Sequence, residues 1–221
     1  LGLLADARAS AESALAQGDA AWAARAARLD DSGLLADPAR ILDAIGHYEG
    51  ALREAPASLE VRWKLLRAHH YSIDFAARGE SERDASTDAA VEIARSSLDL
   101  LEEADGSAFD RARLHFWSSI AWGTRANRVG LLTLVREGIA RQMHDAAERS
   151  LALDPSVDQG GALRLLSRLH GTLPRVPFVS GWVDRDKAVP YAERALALDP
   201  EHPGSRLVFA LTLLELEPDR S

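Results

Sequence analysis

Histidine and glutamate are the side chains here whose spacing could hold a metal or move a proton. His69 and His70 are adjacent, so on a helix their rings point about 100° apart and cannot bind one ion without distortion. We expect these two, and His115, to be packed or solvated histidines. His144 and Glu148 share a helical face at the i, i+4 spacing, which is common on solvated helices. The spacings therefore predict no metal site.

The chain also lacks the patterns of known catalytic and cofactor sites. It has no G-x-S-x-G, H-E-x-x-H, P-loop or Rossmann glycine series. It has no cysteine, which excludes disulfides, thiol catalysis and cysteine-bound zinc. We therefore expect a protein that is not an enzyme and has no cofactor.

Arginine-rich segments could meet an anion. Gly160 and Gly161 precede a predicted helix, where backbone amides and Arg164 could hold a negative group, although close helix packing is the commoner reason for such glycines. Residues 111–141 carry six arginines against one acid, Glu137. This face suits an acidic partner, or it is solvated and pairs with the acidic half of the chain. The candidates for an anionic partner are Arg125, Arg128, Arg164 and Arg168.

The charge balance excludes another class of partner. The net charge is −8, whereas a nucleic-acid binder presents a basic face, so we expect no nucleic acid. The charge is uneven: residues 1–110 hold 11 basic and 21 acidic groups, and residues 111–221 hold 15 and 13.

Aromatic residues offer the strongest indication of a ligand site. A helix that is apolar on most of its faces, as residues 114–122 would be, is either fully buried or lines a cavity. Both interpretations stay open: a packed core, or a cleft with rigid aromatic walls for an apolar ligand. The candidate residues, on two helices expected to be neighbours, are Trp63, Tyr71, Phe116, Trp117 and Trp122.

Composition indicates the fold class. The 221 residues include 40 alanines, the best helix formers, against 16 valines and isoleucines, which favour strands. No apolar run approaches the roughly 20 residues of a membrane span. The composition therefore predicts a protein of helices.

A repeated frame of small residues predicts how these helices are paired. Ala44, Tyr48, Ala51 and Pro56 set a spacing in which three residues share one helical face and a proline follows the helix. Two later copies both end in the string LALDP, and a fourth copy lacks the proline. Small residues at this spacing let a neighbouring helix approach closely. The later copies are Ala188, Ala192, Ala195 and Pro200; Met143, Ala147, Ser150 and Pro155; and Ala90, Ala94 and Ser97.

A second helix is predicted after each proline, at 59–71, 158–170 and 204–216. This pattern resembles the tetratricopeptide repeat, in which helix pairs stack into a solenoid. We therefore expect one all-α domain over residues 1–221, an irregular tetratricopeptide-like solenoid with inserted helices and loops. Inserted segments are expected at 78–88, 105–107 and 170–184. Pro174, Pro177 and Gly181 predict that the last segment is not regular helix but an ordered loop that packs Phe178 and Trp182. The helix pairs are predicted near 36–72, 86–123, 138–171 and 184–217.

A more specific resemblance lies in the order of segments across residues 14–216. ALAQGDAAWAAR is followed by GHYEGALREAP, VRWKLLRAHHY, LHFWSSIAWG and then GGALRLLSRLHGTLPRVPF. The last string, with its Gly-Gly-x-Leu-Arg and Arg-Leu-His elements, is the most specific part. The series is similar to the T-component of tripartite ATP-independent periplasmic (TRAP) transporters.

This resemblance implies a periplasmic, lipid-anchored helical-repeat protein that forms a homotrimer and has an apolar cleft. Its partner would be the solute-binding protein of the transporter, and its contact with a membrane would be only through the lipid. The chain has no lipobox cysteine, so the expected lipid anchor is not visible in this sequence. The alternative is a general tetratricopeptide-repeat adaptor that binds a peptide or an assembly subunit on its concave face.

Overall fold

The computed structural model describes residues 2–98, 100–101, 106–177 and 179–216. The all-α prediction is confirmed: within these residues no strand forms, and an isolated bridge joins Leu29 to Ala36. No helix in the described ranges combines the length and apolar character that a membrane crossing requires. Helices α1 to α10 are Gly2–Ala23, Pro38–Glu54, Leu59–Tyr71, Glu80–Leu98, Ala108–Ala126, Leu131–Arg136, Ile139–Leu153, Gly161–Thr172, Ala188–Leu198 and Pro203–Leu216.

The chain divides into two compact units, Leu1–Asp110 and Arg111–Ser221. Helix α5 begins in the first unit and continues into the second. In the first unit α1 packs against α2, α2 against α3, and α3 against α4. In the second unit α7 packs against α8, while α8, α9 and α10 pack against one another. That the whole chain forms one repeat domain stays a prediction.

The helix ends lie close to the predicted ones, with two differences. Helix α3 has the predicted bounds, and α10 begins one residue before the predicted start. Helix α8 begins at Gly161 rather than at residue 158, because Asp158, Gln159 and Gly160 have φ angles of 46°, 52° and 83°. Positive φ angles are incompatible with a right-handed helix.

The second difference concerns the polar run 78–88, which was expected to interrupt the array. It is helical from Glu80 onward as the first half of α4. Acidic side chains at Glu80 and Glu82 lie in the first turn, where they interact favourably with the helix dipole. Polar composition alone therefore did not distinguish an exposed helix from a loop.

Side-chain caps fix the starts of α2 and α3. A carboxylate oxygen of Asp37 accepts the backbone N–H of Ala39 at 3.0 Å, and Pro38 occupies the first helical position. The hydroxyl of Ser58 accepts the N–H of Val61 at 3.3 Å. The Ser58 cap fixes the start of α3 at Leu59, three residues after Pro56.

The small residues of the repeat frame are buried in all four copies. Ala44 and Ala51 of α2 have no exposed surface, and the corresponding alanines and serines of α4, α7 and α9 are at most 3% exposed. Ser150 on α7 also donates its hydroxyl to the carbonyl of Ala112 on α5 at 2.8 Å. The frame therefore marks the helix faces that pack most closely, as the spacing predicts. The buried positions are Ala44, Ala51, Ala90, Ala94, Ser97, Ala147, Ser150, Ala188, Ala192 and Ala195.

A glycine and a tyrosine bring α1 against α2. A Cβ atom on Gly18 would lie 2.5 Å from Cε1 of Tyr48, so only glycine leaves room for this ring. The hydroxyl of Tyr48 donates to Asp19 at 2.8 Å, and burial together with this bond raises the pKa of Tyr48. Lys64 on α3 binds the same carboxylate at 2.7 Å and also binds Glu60 at 2.7 Å. This group joins α1, α2 and α3.

An arginine six residues after the proline closes the turn in two copies of the frame. Arg62 donates from Nε and Nη2 to the carbonyl of Pro56 at 3.1 and 2.8 Å. Arg206 donates from Nε to the carbonyl of Pro200 at 2.6 Å. Each guanidinium satisfies a carbonyl that the proline turn removes from helical hydrogen bonding.

The segment after α8 is an ordered non-helical loop in its described part, as Pro174 and Pro177 predict. Ser180 donates to the carbonyl of Pro174 at 2.6 Å and accepts the N–H of Val176 at 3.0 Å. Trp182 packs into the second unit through contact with His144. Phe178, which was also expected to pack there, lies outside the described residues.

Candidate functional site

A cluster of aromatic and arginine side chains lies where α1 and α3 meet in the first unit. The guanidinium of Arg25 lies 4.0 Å from the ring centre of Trp22, and that of Arg67 lies 3.9 Å from it on α3. Cations over an indole face are attracted by its electron density. We call the group Trp22, Arg25, Trp63, Arg67 and Tyr71 the Trp22 cluster.

The structure brings two of the five predicted aromatic residues into this cluster. Trp63 is buried, donates its indole N–H to Asp110 at 3.0 Å and lies 4.9 Å from the Arg67 guanidinium. Tyr71 packs edge-on against Trp22 with ring centres 5.7 Å apart. Both side chains are therefore fixed in place by neighbours within the first unit.

Sequence reasoning missed Trp22, Arg25 and Arg67 as members of this site. A usable signal was present for one of them, because Trp63, Arg67 and Tyr71 repeat at i, i+4 and i+8 and so share one face of α3. Nothing local indicates that Trp22 meets them. That contact depends on how α1 crosses α3.

A polar pocket of about 300 Å³ lies beside the Trp22 cluster and shares Arg25 with it. Its other charged lining residues are Arg28, Arg40, Asp37 and Asp43. Arg40 and Asp43 pair at 3.5 Å, and Asp37 caps α2, so Arg25 and Arg28 form the more cationic side. Such a pocket suits a group that carries both charges, with its anionic end toward these arginines.

The other three predicted aromatic residues are buried in the second unit. Phe116, Trp117 and Trp122 are 5%, 9% and 2% exposed. Phe116 packs edge-on against Trp117 with ring centres 5.1 Å apart, and it fills the space above Gly161. These contacts are those of packed core residues, and a role in holding an apolar ligand stays a prediction.

Two arginines predicted for an anionic partner already pair with acids of their own unit. Arg125 binds Glu137 through two hydrogen bonds of 2.9 and 3.1 Å. Arg168 on α8 binds Glu215 on α10 at 3.1 Å. Arg128 is half-buried just after α5. An acidic partner would have to compete with these carboxylates for Arg125 and Arg168.

Arg164 has a structural role in the turn before α8. It donates to the carbonyls of Asp158 and Gln159 at 2.9 and 2.6 Å, which stabilises the strained residues of positive φ. The neighbouring Gly161 has no room for a side chain, since a Cβ would lie 2.5 Å from a ring atom of Phe116. This geometry favours the interpretation of the two glycines as packing residues.

Two buried histidines are held in the neutral form. Burial lowers the pKa of His69 to about 4, and neither of its ring nitrogens has a hydrogen-bond partner among the described residues. Burial and the nearby charges of Arg149 and Arg111 lower the pKa of His115 to about 4. The two lie in different units, and we treat each as a packed histidine.

Comparison with models of known protein families gives no match, and comparison with curated proteins gives none either. The fold of the described residues defines an all-α protein.

Proposed function

We propose that this chain is a non-enzymatic binding protein, an irregular tetratricopeptide-like solenoid that works in the periplasm as the T-component of a TRAP transporter. Its partner would be the solute-binding protein of that transporter. Any contact with a membrane would be through a lipid anchor.

The observation that carries the proposal is the set of contacts made by residues of GGALRLLSRLHGTLPRVPF, the most specific part of the resemblance. Gly160 adopts a φ of 83°, Gly161 receives Phe116, and Arg164 holds two backbone carbonyls. His170 accepts the N–H of Asp184 at 3.0 Å and so fixes the following loop. A generic helix pair needs none of these contacts, so they support the more specific resemblance.

The mechanism would be capture by a complementary surface, without a covalent step. The partner would dock on the concave face that stacked helix pairs create. An apolar ligand near the aromatic residues of α5 is a further part of the proposal and rests on the resemblance.

Co-purification with a TRAP-transporter solute-binding protein tests the proposal. We expect a stable complex by size-exclusion chromatography with light scattering. Native mass spectrometry without detergent should show a trimer that carries a small apolar adduct. A bare monomer that does not bind the solute-binding protein would contradict the proposal.

The pocket of the first unit favours a second candidate, a peptide-binding adaptor. A peptide carboxylate would lie against Arg25 and Arg28, with its cationic groups toward Asp37 and Asp43. An array of acidic, basic and mixed-charge peptides tests this candidate. Selection of mixed-charge peptides should be lost in Arg28→Ala and kept in Arg53→Ala, an exposed arginine of α2 outside the pocket. Equal binding by both variants would exclude the pocket.

A further inference from the structure

Three side chains with the chemistry of metal ligands converge between α7 and α8 in the second unit. His144 and Glu148 lie on α7, and His170 lies on α8. One ligand atom from each lies within 4.8 Å of the other two, and Nε2 of His144 is 3.8 Å from Oε1 of Glu148. The i, i+4 pair on α7 is ordinary by itself, and the third residue makes it a candidate site.

From this arrangement we propose that His144, Glu148 and His170 bind a divalent transition-metal ion such as Zn²⁺. Two imidazoles and one carboxylate form a known zinc ligand set that leaves a fourth position open. In a tetrahedral site the ligand atoms would be about 3.3 Å apart, so the side chains need only small shifts. The proposal does not depend on the proposed transport partner.

Neighbouring residues already orient two of the ligands. Nδ1–H of His144 donates to Asp145 at 3.0 Å, which leaves Nε2 with a free lone pair toward Glu148. Metal-bound histidines commonly have this arrangement, with the second nitrogen donating to a carboxylate. Tyr191 donates its hydroxyl to Oε1 of Glu148 at 2.8 Å, and Trp182 stacks on His144 with ring centres 4.1 Å apart.

Burial supplies a second and independent observation. His170 has no exposed surface, and its Nε2 has no hydrogen-bond partner within the described part of the chain. A buried polar nitrogen without a partner is costly, and an ion bound at Nε2, once the ring hydrogen has moved to Nδ1, would remove that cost. Glu148 is 37% exposed in its side chain, which gives an ion a route from solvent.

The hydrogen bond from Asp184 couples ion binding to a change in the position of the His170 ring hydrogen. Because the backbone N–H of Asp184 donates to Nδ1 of His170, the neutral ring carries its hydrogen on Nε2. Coordination through Nε2 requires the hydrogen to be on Nδ1 instead, where it faces the Asp184 amide. Ion binding should therefore release that amide and loosen the loop before α9.

Zinc titration of the tag-free, chelator-treated full chain tests the site. We expect one Zn²⁺ per chain by calorimetry. Affinity should fall more than about tenfold in both His144→Ala and Glu148→Gln. Glu148→Gln is the milder variant, because its amide oxygen can still accept the Tyr191 hydroxyl. His47→Ala, a half-buried histidine of α2 in the first unit, is the matched control and should bind like the parent.

Nuclear magnetic resonance of the His170 ring and hydrogen exchange at the Asp184 amide test the linked change. We expect zinc to move the ring hydrogen to Nδ1 and to speed exchange of this amide. No stoichiometric binding would overturn the proposal, as would equal affinity in Glu148→Gln. So would zinc binding that leaves both the His170 ring and the Asp184 amide unchanged.

Discussion

Adding one methyl group at Gly161 tests how closely the second unit is packed. A Cβ there would lie 2.5 Å from Cζ of Phe116, too close without movement of the ring or of α8. We predict that Gly161→Ala lowers the free energy of unfolding by about 1–3 kcal/mol, as overpacking of a core does. Urea denaturation followed by circular dichroism measures this change.

A second glycine provides the control. Gly46 is exposed inside α2 and has nothing within 4 Å of an added Cβ, so Gly46→Ala should stabilise the protein by up to about 1 kcal/mol. If Gly161→Ala were as stable as the parent, Phe116 would not be packed as described.

Buried histidines make stability depend on pH. The pKa of His69 falls from 6.5 to about 4 in the folded protein, so between these values the unfolded chain binds more protons. The contribution of His69 to stability is therefore fully present above about pH 6.5, falls progressively below that pH, and is fully lost once the pH has fallen through about 4. We predict that His69→Gln removes about 2 kcal/mol of the loss between about pH 7 and pH 5.

Urea denaturation at several pH values measures that slope in the parent and the variant. His47→Gln controls for the loss of a histidine outside the buried position. Identical slopes for the parent and His69→Gln would mean that His69 is not desolvated in the folded state. His115, whose folded pKa is also about 4, should give a second contribution of the same sign.

At the scale of the helix pair, two arginines bind the carbonyl of the proline six residues before them. Arg62 is buried and Arg206 is exposed. Arg62 is 7% exposed and also donates to Ser96 and Ser97, each at 3.1 Å. We predict that Arg62→Met costs about 2–4 kcal/mol, because buried acceptors lose a charged donor.

The matched substitution is Arg206→Met in the last helix pair. The side chain of Arg206 is 56% exposed, and water can replace its bonds, so the cost should be below about 1 kcal/mol. Thermal or urea unfolding of both variants gives the comparison. Equal costs would mean that burial does not decide the contribution of this bond.

At the same scale, local sequence predicted the helices well. The bounds of α3 and the buried faces of α2 and α9 follow from residue spacing, caps and prolines that act over a few residues. Where prediction was wrong, as for the start of α8, the cause was a side-chain contact rather than a helix propensity. Arg164 donates to the carbonyls of two residues of positive φ, Asp158 and Gln159, and no propensity scale indicates this.

For the whole molecule, unfolding and hydrogen exchange test the prediction that the chain is one domain. Tryptophan fluorescence follows the unfolding of both units. Trp22 and Trp63 lie in the first unit, and Trp117, Trp122 and Trp182 lie in the second. Because α5 continues from one unit into the other, we predict one cooperative transition. Gly161→Ala should then lower protection against hydrogen exchange in α2 as well as in α8. Loss of protection in the second unit alone would contradict a single domain.

The sequence by itself determined the all-α class, the positions of most helices and the faces on which small residues are buried. These features arise from spacings of three to eight residues along one helix. The tertiary structure alone decided which side chains meet across helices. His170 joins His144 and Glu148 from another helix, and Tyr71 reaches the backbone of Arg25 across 46 positions of the chain. Such meetings depend on helix crossings, which one helix's periodicity does not specify.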